Sequence, residues 1–311
     1  MTGVGVRVLG ILAYVAGDAE DQDVAVSVVI PARNASATLP VQLGALADQD
    51  FEGRWELIVA DNGSTDGTAV LIEAWREHLP RMRRIVVPDP GANRARNAGV
   101  RASAGDRILI CDADDEVSSK WIRCLAEALT WDDVAGGPLE YERLSAYDVP
   151  RPPGHATAEL PSLFGRPYVI SASIGFRRKV FEATGGFDET FGVGGDDIDF
   201  CWRAQQAGFS LGYAPNALVH YRLRSPMRAY FWQQYGYAKG DAHLYAKHRR
   251  VSALPRRTFR RQVIALAGDG LELIRKLPRL GDPPTRWLAT QELARLAGRL
   301  AGAVRWGVYP P

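Results

Sequence analysis

Cysteine is scarce in this 311-residue chain, which has three: Cys111, Cys124 and Cys201. An odd number of cysteines without metal-type spacing predicts a protein with no disulfide framework, kept reduced in the cytoplasm. Long apolar runs are missing as well, since no stretch approaches the roughly 18 uninterrupted apolar residues of a membrane span. The N-terminal run Val4–Val15 is short, contains Arg7, and has neither a charged n-region nor a cleavage site. We interpret it as a strand or a tail, not as a signal peptide.

A large excess of one charge is also absent, because the net charge is +2. The two parts of the chain nevertheless differ in sign. From Arg222 onward there are 18 Lys+Arg and 5 Asp+Glu, whereas residues 1–221 hold 20 and 31. A basic C-terminal part on an acidic body is typical of proteins that meet an anionic surface, an anionic ligand or a partner subunit.

Apolar runs alternate with helical patterns along most of the chain. The runs in VAVSVVIPARN (24–34) and WELIVADNGSTDGT (55–68) are rich in β-branched residues and end in Pro, Asn or Asp, which predicts buried strands followed by loops. Such alternation favours a mostly parallel α/β sheet, whose ligands bind beyond the carboxyl ends of the strands. The polar clusters after residues 31, 61 and 111 should therefore share one edge. The predicted elements are strand 24–34, a helix capped by Asn34 or Ser36 and ending near Asp48, a strand from 55, a helix capped near Thr65 or Asp66 and ending near His78, strand 82–91, helix 91–103, strand 106–114, helix Trp121–Leu129 capped by Ser118 or Ser119, helix Arg178–Thr184, a helix from about Asp197, and a final strand within 212–225.

An acidic run, Asp112-Ala113-Asp114-Asp115-Glu116, follows the fourth predicted strand. Carboxylates two residues apart at a strand end can turn toward one cation, and hard oxygen ligands suit Mg²⁺ or Mn²⁺. A solvated turn with a helix-capping aspartate is the competing interpretation. Within this run Glu116 is expected to be solvated near the start of the next helix.

A second acidic cluster, Asp196-Asp197, follows two glycines at a predicted helix start. A carboxylate there could act as a general base, and the helix N-terminus would keep it ionised. Capping is the alternative role. For Asp199 and Arg203, four residues apart, we favour an ordinary pair on the helix face.

Arginine and histidine give weaker signals. Arg94 and Arg96 suit phosphate oxygens or a pyrimidine edge, although without further context a solvated helix face explains them better. His220 at a strand end is more often structural than a ligand when taken alone. No role is assigned to the remaining histidines, which are His78, His155, His243 and His248.

The order of the motifs is more specific than any one of them. VSVVIPARNASATL, ELIVADNGSTDGT, GANRARNAG, CDADD, GGFDETFGVGGDDIDFCWRAQQAG and VHY together resemble glycosyltransferase family 2 across roughly residues 25–225. The resemblance implies an inverting, nucleotide-sugar-dependent enzyme with a GT-A fold. That fold is a single nucleotide-binding α/β domain with a mostly parallel mixed sheet flanked by helices.

The resemblance also implies roles for the residues of the nucleotide site. Asp61 would accept the base N–H, which favours a pyrimidine nucleoside-diphosphate sugar. Arg33 departs from the family's frequent Tyr, and Asn62 replaces the more usual second Asp. The other implied donor-site residues are Pro31, Ala32 and Asn34 in the first loop, Arg94 and Arg96 toward the base or diphosphate, and Asp112, Ala113 and Asp115 toward the diphosphate and the sugar.

For the chemistry, the resemblance implies a Mn²⁺ or Mg²⁺ ion held by Asp112 and Asp114, with His220 completing the site. Asp197 matches the family's catalytic base. Asp196 is the second implied catalytic residue, and it stands where the family usually has Glu. Two other functions stay open: a nucleotide-sugar-binding member without turnover, and a nucleotidyltransferase. A nucleotidyltransferase would require a Gly-rich phosphate-binding loop with a Lys near the first strand, and the segment PARNASATL contains neither.

Three regions are predicted: a strand or tail over 1–23, a catalytic domain over 24–225, and a basic helical extension over 226–311. Apolar residues at helical spacing in the extension favour docking on the domain or pairing between subunits. Peripheral contact with an anionic membrane is the alternative. Nucleic acid is not expected, because aromatic interleaving is sparse, and the acceptor is not indicated. The apolar stripes are Val263, Leu266, Ala267, Leu271, Ile274 and Leu277, and then Leu293, Leu296, Leu300 and Val304.

Overall fold

The computed structural model describes residues 24–146, 149–151, 159–249 and 283–309, with single residues at 254, 264, 267, 268, 270, 271, 274 and 275. The prediction for residues 1–23 lies outside these residues. In chain order the elements are β1 (Val26–Ala32), α1 (Leu39–Ala47), β2 (Trp55–Asp61), α2 (Thr68–Trp75), β3 (Arg83–Val86), α3 (Ala92–Ala102), β4 (Arg107–Ile110), β5 (Glu116–Val117), α4 (Trp121–Ala128), β6 (Val134–Gly136), β7 (Leu139–Glu140), β8 (Ser162–Leu163), β9 (Arg166–Pro167), β10 (Ile174–Arg177), α5 (Arg178–Thr184), α6 (Asp196–Gln206), β11 (Leu211–Tyr213), β12 (Val219–His220), α7 (Met227–His248) and α8 (Pro283–Trp306).

The main sheet has seven strands in the order β11-β6-β10-β4-β1-β2-β3. All neighbouring pairs are parallel except those made by β10, which is antiparallel to β4 and to β6. The predicted mostly parallel α/β sheet is thus confirmed. A smaller sheet, β5-β12-β7, places His220 opposite Glu116, which is the last residue of the acidic run.

The central strands are continuous apolar runs because both faces of the sheet are covered. Val28 and Ile30 of β1 belong to one core cluster, with side chains of α1, α2 and α4. Val29, between them in sequence, points to the other face and joins side chains of α3, α5 and α6. At Gly99, a Cβ atom would lie 2.3 Å from Val29, so only glycine lets α3 approach β1 this closely. That approach brings the polar residues of α3 to the sheet edge.

Some helix starts differ from the predicted ones by a few residues. α1 begins after Thr38, because Asn34 and Ser36 bind the next loop instead of capping. α2 begins after Gly67. α4 begins at Trp121 as predicted, although its N-cap is Lys120 and not Ser118 or Ser119. The short strands β5 to β9 were not predicted, since two or three residues carry no periodicity.

The C-terminal extension packs on the rest of the chain through α7. Phe191 and Trp202 share a core cluster with Leu244 and Tyr245 of α7 and with Val308. α8 then packs along α7 in the same direction, with Trp287 against Tyr230 and Gly302 against Ala242. No helix among the described residues is long and apolar enough to cross a bilayer.

The predicted apolar stripe of α8 is not the face that docks. Leu293, Leu300 and Val304 are 47%, 39% and 89% exposed, whereas Ala294 is fully buried. Of the preceding stripe, Leu271 and Ile274 are likewise exposed, as is Ala267, and Val263, Leu266 and Leu277 lie outside the described residues.

Candidate active site

The loops that follow β1 and β2 meet at one edge of the sheet, as the polar clusters predicted. Asn34, with a left-handed φ of 50°, joins them in both directions. Its backbone N–H donates to Ser64 Oγ over 3.0 Å, and its side-chain oxygen accepts from the Thr65 N–H over 2.8 Å. Pro31 and Ala32 end β1 beneath this contact, and Arg33 is exposed beside it.

Asp61, which the family resemblance assigns to the base, is 1% exposed. Its carboxylate accepts from the Arg84 guanidinium at 2.5 and 2.9 Å and from the Ser64 N–H at 3.0 Å. Burial acts to raise the pKa of Asp61, and these partners outweigh burial and hold it below its ordinary value. In this structure the Asp61 carboxylate therefore stabilises the turn after β2, and its oxygens are already engaged by Arg84 and Ser64.

Asn62 replaces a carboxylate for a physical reason that the structure makes clear. Its side-chain amide donates to two carbonyl oxygens, those of Val87 (3.1 Å) and Asp89 (2.6 Å), and its oxygen accepts from the Gly91 N–H at 2.7 Å. A carboxylate can accept the last bond but cannot donate the first two. Asn62 thus ties the end of β2 to the start of α3.

Arg96 links the two acidic clusters. Its guanidinium lies 3.2 Å from Asp112 and 2.7 Å from Asp196, and it also donates to Asn93 over 2.9 Å. Arg96 is 7% exposed, and the two carboxylates raise its pKa despite burial. The contact of Arg96 with a base or diphosphate stays a prediction. Arg94, by contrast, is 43% exposed and pairs with two surface carboxylates, those of Asp89 and Glu189.

The acidic run is held by arginines from the segment after β12. Asp114 lies 3.5 Å from Arg224, and Asp115 accepts from the Arg222 N–H at 2.8 Å. The other oxygen of Asp115 is buried and has no hydrogen-bond partner in the described part of the chain. Burial and the neighbouring charge of Asp112 raise the pKa of both Asp114 and Asp115.

Glu116 was expected to be solvated near the start of the next helix. It lies instead in β5, where it pairs with Arg143 at 2.8 Å. His220, opposite it, has a partner that sequence reasoning missed. Its Nδ1 lies 2.6 Å from a carboxylate oxygen of Glu140. A carboxylate on one ring nitrogen fixes the tautomer and leaves the other nitrogen as the coordinating atom, which is the usual support of a metal-binding histidine. Within the described ranges, however, no three His, Cys, Asp or Glu residues lie together as a ready-made metal site.

Asp197 stands at the start of α6, after Gly194 and Gly195, both with φ of 83°. Its carboxylate accepts from the Ser171 N–H at 3.2 Å and from the Ile198 N–H at 2.9 Å. Burial, followed by the charge of Asp196, raises the pKa of Asp197 to about 7. The expectation that the helix N-terminus keeps Asp197 ionised is therefore wrong near neutral pH, because burial outweighs the helix dipole.

Asp199, two residues after Asp197 in α6, is more than a member of a surface pair. The predicted pair with Arg203 is present at 2.8 Å, but Asp199 is fully buried. Lys247 and His248 at the end of α7 lie 2.7 and 2.8 Å from its other oxygen. His248, to which the sequence assigned no role, therefore joins the extension to the helix of Asp197. No sequence signal could have paired residues this far apart.

Residues 27–185 match the family model described as glycosyl transferase family 2, which covers just over half of the chain. The chain belongs to glycosyltransferase family 2. A model for glycosyl transferase family group 2 matches residues 159–281, so this family's pattern continues past residue 225 into α7. The division into domains at that position remains a prediction.

The relatives of this glycosyltransferase are distant. It is 25% identical to glycosyltransferase AglE of Haloferax volcanii, over 71% of this chain and 74% of that protein. It is 29% identical to the pre-mycofactocin glycosyltransferase of Mycobacterium tuberculosis, over 72% of this chain and 48% of that one. The chain thus spans about half of the mycobacterial protein. The structure of Staphylococcus aureus TarS 1–349 superposes with a TM-score of 0.53 at 19% identity, covering 92% of each chain, which shows the shared fold.

The extension of this family member also reaches the site. At Gly194 a Cβ atom would lie 2.7 Å from the ring of Tyr237, which is on α7. The Tyr237 hydroxyl is 3.4 Å from that of Tyr221. Burial and the charges of Asp197 and Asp112 raise the pKa of Tyr237 to about 12, so its hydroxyl stays protonated beside both acidic clusters. The motif pattern, which ended at residue 225, did not indicate this residue.

Proposed function

We propose that this family member transfers a sugar from a nucleoside-diphosphate sugar to an acceptor hydroxyl with inversion, and that Asp197 is the general base. One observation carries the proposal. A carboxyl with a pKa of about 7 stands at the start of α6, next to Asp196, which Arg96 joins to Asp112 of the acidic run. A base is most effective when its pKa lies near the working pH.

The proposed reaction is a single displacement. The acceptor oxygen forms a bond to the anomeric carbon as the bond from that carbon to the diphosphate oxygen breaks. The acceptor proton passes to Asp197, and the electron pair leaves with the diphosphate. Attack from the face opposite the leaving group inverts the anomeric centre, as in inverting hydrolases, where two carboxyl groups act on opposite faces. Asp196, paired with Arg96, positions α6 and takes no proton.

Asp112, Asp114 and His220 are the residues that would hold Mn²⁺ or Mg²⁺. Their chemistry fits, because carboxylate oxygens and an imidazole fixed by Glu140 are suitable donors. Arg96 and Arg224 now pair with the two carboxylates. When bound, a divalent cation would offset the charge that develops on the leaving diphosphate.

For the donor we propose a uridine or another pyrimidine nucleotide at the loops of Pro31, Ala32, Arg33 and Asn34. Structures of TarS with UDP and with UDP-GlcNAc, at TM-scores of 0.50 and 0.51, support a nucleotide-sugar site in this fold. The burial of Asp61 argues that this donor site rearranges, or that the base is read by other groups. The acceptor is not proposed.

The experiment mixes the protein with Mn²⁺ and a panel of nucleotide sugars and follows the release of nucleoside diphosphate. Release that Asp197→Asn abolishes and Asp48→Asn, an exposed control, preserves would support the proposal. Binding without release would favour a nucleotide-sugar-binding protein. Release of nucleoside monophosphate or pyrophosphate would indicate a nucleotidyltransferase instead.

A further inference from the structure

The outer face of α8 carries an apolar stripe. Leu293, Leu300 and Val304 are spaced by seven and four residues, which places them on one side of a helix. Their exposed fractions are 47%, 39% and 89%. Exposed apolar side chains scattered singly are ordinary, but a contiguous row on one helix face indicates a contact surface.

The docking of α8 on α7 does not use this stripe. The contact is made by Ala294, Gly298 and Gly302, at successive four-residue intervals on the other side of the helix. A Cβ atom at Gly298 would lie 2.3 Å from the Tyr235 carbonyl oxygen, and one at Gly302 would lie 2.4 Å from the Ala242 side chain. Small residues therefore let the two helices approach closely, and the larger aliphatic side chains point away from the protein.

The surroundings of the stripe are basic. α8 contains Arg286, Arg295, Arg299 and Arg305 against one acid, Glu292. Arg295 and Arg299 act on Asp241 of α7, where their charges oppose the rise of its pKa, whereas Arg286 and Arg305 are exposed. Residues 226–311 hold 16 Lys+Arg and 5 Asp+Glu, a net charge of +11, and the rest of the chain is net −9. The surface partner of the stripe must accept both aliphatic side chains and positive charge.

Charge separates the two candidate partners. A two-fold contact between copies of this chain would place the same surface of each against the other, and so bring two segments of +11 together. An anionic phospholipid surface attracts basic segments and takes up apolar side chains at the level of its headgroups.

We propose that the exposed part of the predicted stripe, Leu293, Leu300 and Val304, binds an anionic phospholipid surface, with α8 lying along it; Leu296, the fourth residue of the predicted stripe, is half-buried. A second row of exposed aliphatic side chains, Ile264, Leu271 and Ile274, is 60%, 48% and 59% exposed and supports the same use of the extension. This surface is independent of the proposed sugar transfer, so it can be tested without an assay of activity.

The test is flotation of the full chain with phosphatidylcholine vesicles, with and without phosphatidylglycerol, at low and high salt. We expect flotation with phosphatidylglycerol at low salt and weaker flotation at high salt. The double variant Leu293→Ser, Leu300→Ser should partition about tenfold less onto the vesicles. Val70→Ser, at a valine that is 76% exposed on α2, is the matched control and should float like the wild type.

Three results would overturn the proposal. These are no flotation with phosphatidylglycerol vesicles, flotation of the double variant equal to that of the wild type, or light scattering that shows a dimeric wild type and a monomeric double variant. Near-UV circular dichroism checks that the variants fold. Val304→Ser, at the most exposed position of the stripe, gives a second measurement if the double variant does not fold, and it should also weaken flotation.

Discussion

Replacing Asp197 by asparagine should change activity and stability in opposite directions near neutral pH. The variant cannot accept a proton, so transfer should fall by about 10²–10⁴-fold. The same substitution removes a carboxyl whose ionised form is disfavoured by burial. A group that destabilises the folded state when it is charged makes the free energy of unfolding depend on pH. Loss of a purely structural residue would not change that dependence.

The magnitude follows from the pKa of Asp197. An aspartate ordinarily has a value of 3.8, and this one has a value of about 7. At about 1.4 kcal/mol per pKa unit, ionisation at high pH costs the folded state at most about 4 kcal/mol. Asp197 is partly exposed, and solvent access reduces this cost to on the order of 2 kcal/mol.

The sign follows from proton binding. Because the pKa is higher in the folded than in the unfolded state, the folded state binds more protons between the two values, and wild-type stability falls as pH rises from about 4 to about 7. Asparagine avoids that loss. It can accept only one of the two N–H bonds from Ser171 and Ile198, which costs about 1 kcal/mol at every pH.

Urea unfolding of the wild type and of Asp197→Asn should therefore give similar free energies of unfolding near pH 5 and a variant that is about 1 kcal/mol more stable near pH 8. Asp48→Asn controls for the loss of an exposed carboxylate. A stability difference that does not change with pH would refute the raised pKa. Near-wild-type transfer by the variant, with donor and acceptor saturating, would remove Asp197 from the base role.

Three further outcomes are expected. In wild type, kcat/KM for the acceptor should fall about tenfold per pH unit below about pH 7, because protonated Asp197 accepts no proton. Asp196→Asn removes a charge that raises the pKa of Asp197, so this decrease in kcat/KM should begin at a lower pH. Asn62→Asp should lower the free energy of unfolding by about 2–4 kcal/mol, because a buried carboxylate then faces two carbonyl oxygens; thermal and urea unfolding measure this. His248→Ala should cost about 1–3 kcal/mol in the same assays by removing one partner of buried Asp199, and His248→Gln, which can still donate, should recover part of the loss.

The sheet was accessible from the sequence because its physical cause is local. β1 and β2 are runs in which nearly every residue is buried, so they read as apolar segments that end at turn-forming residues. The shared edge followed from the rule that parallel strands point the same way. The pairs that define the site, such as Arg96 with Asp196 or Asp199 with His248, are 100 and 49 residues apart. Hydrophobic periodicity reports which residues are buried and carries no information about their partners.

The extension shows the same limit in another form. Helical spacing correctly groups Leu293, Leu300 and Val304 on one face, but it does not say which face of the helix packs. The sequence-based expectation that the apolar stripe docks assumes that size favours burial. Here the face of α8 with Gly298 and Gly302 packs on α7 instead, since small residues allow the backbones of the two helices to approach more closely.

The first turn of α6 separates the effects that act on a carboxylate. Asp196, Asp197 and Asp199 share one helix N-terminus, whose dipole is worth about 0.3–1 kcal/mol to each. Their states nevertheless differ. Burial raises the pKa of Asp196 even though Arg96 pairs with it, burial raises the pKa of Asp197 to about 7, and the partners of Asp199 hold its pKa below the ordinary value against burial. The dipole, which is common to all three, cannot produce these differences. Burial and the cationic partners decide them, and Asp197 is the carboxylate of the three that makes no ion pair within the described part of the chain.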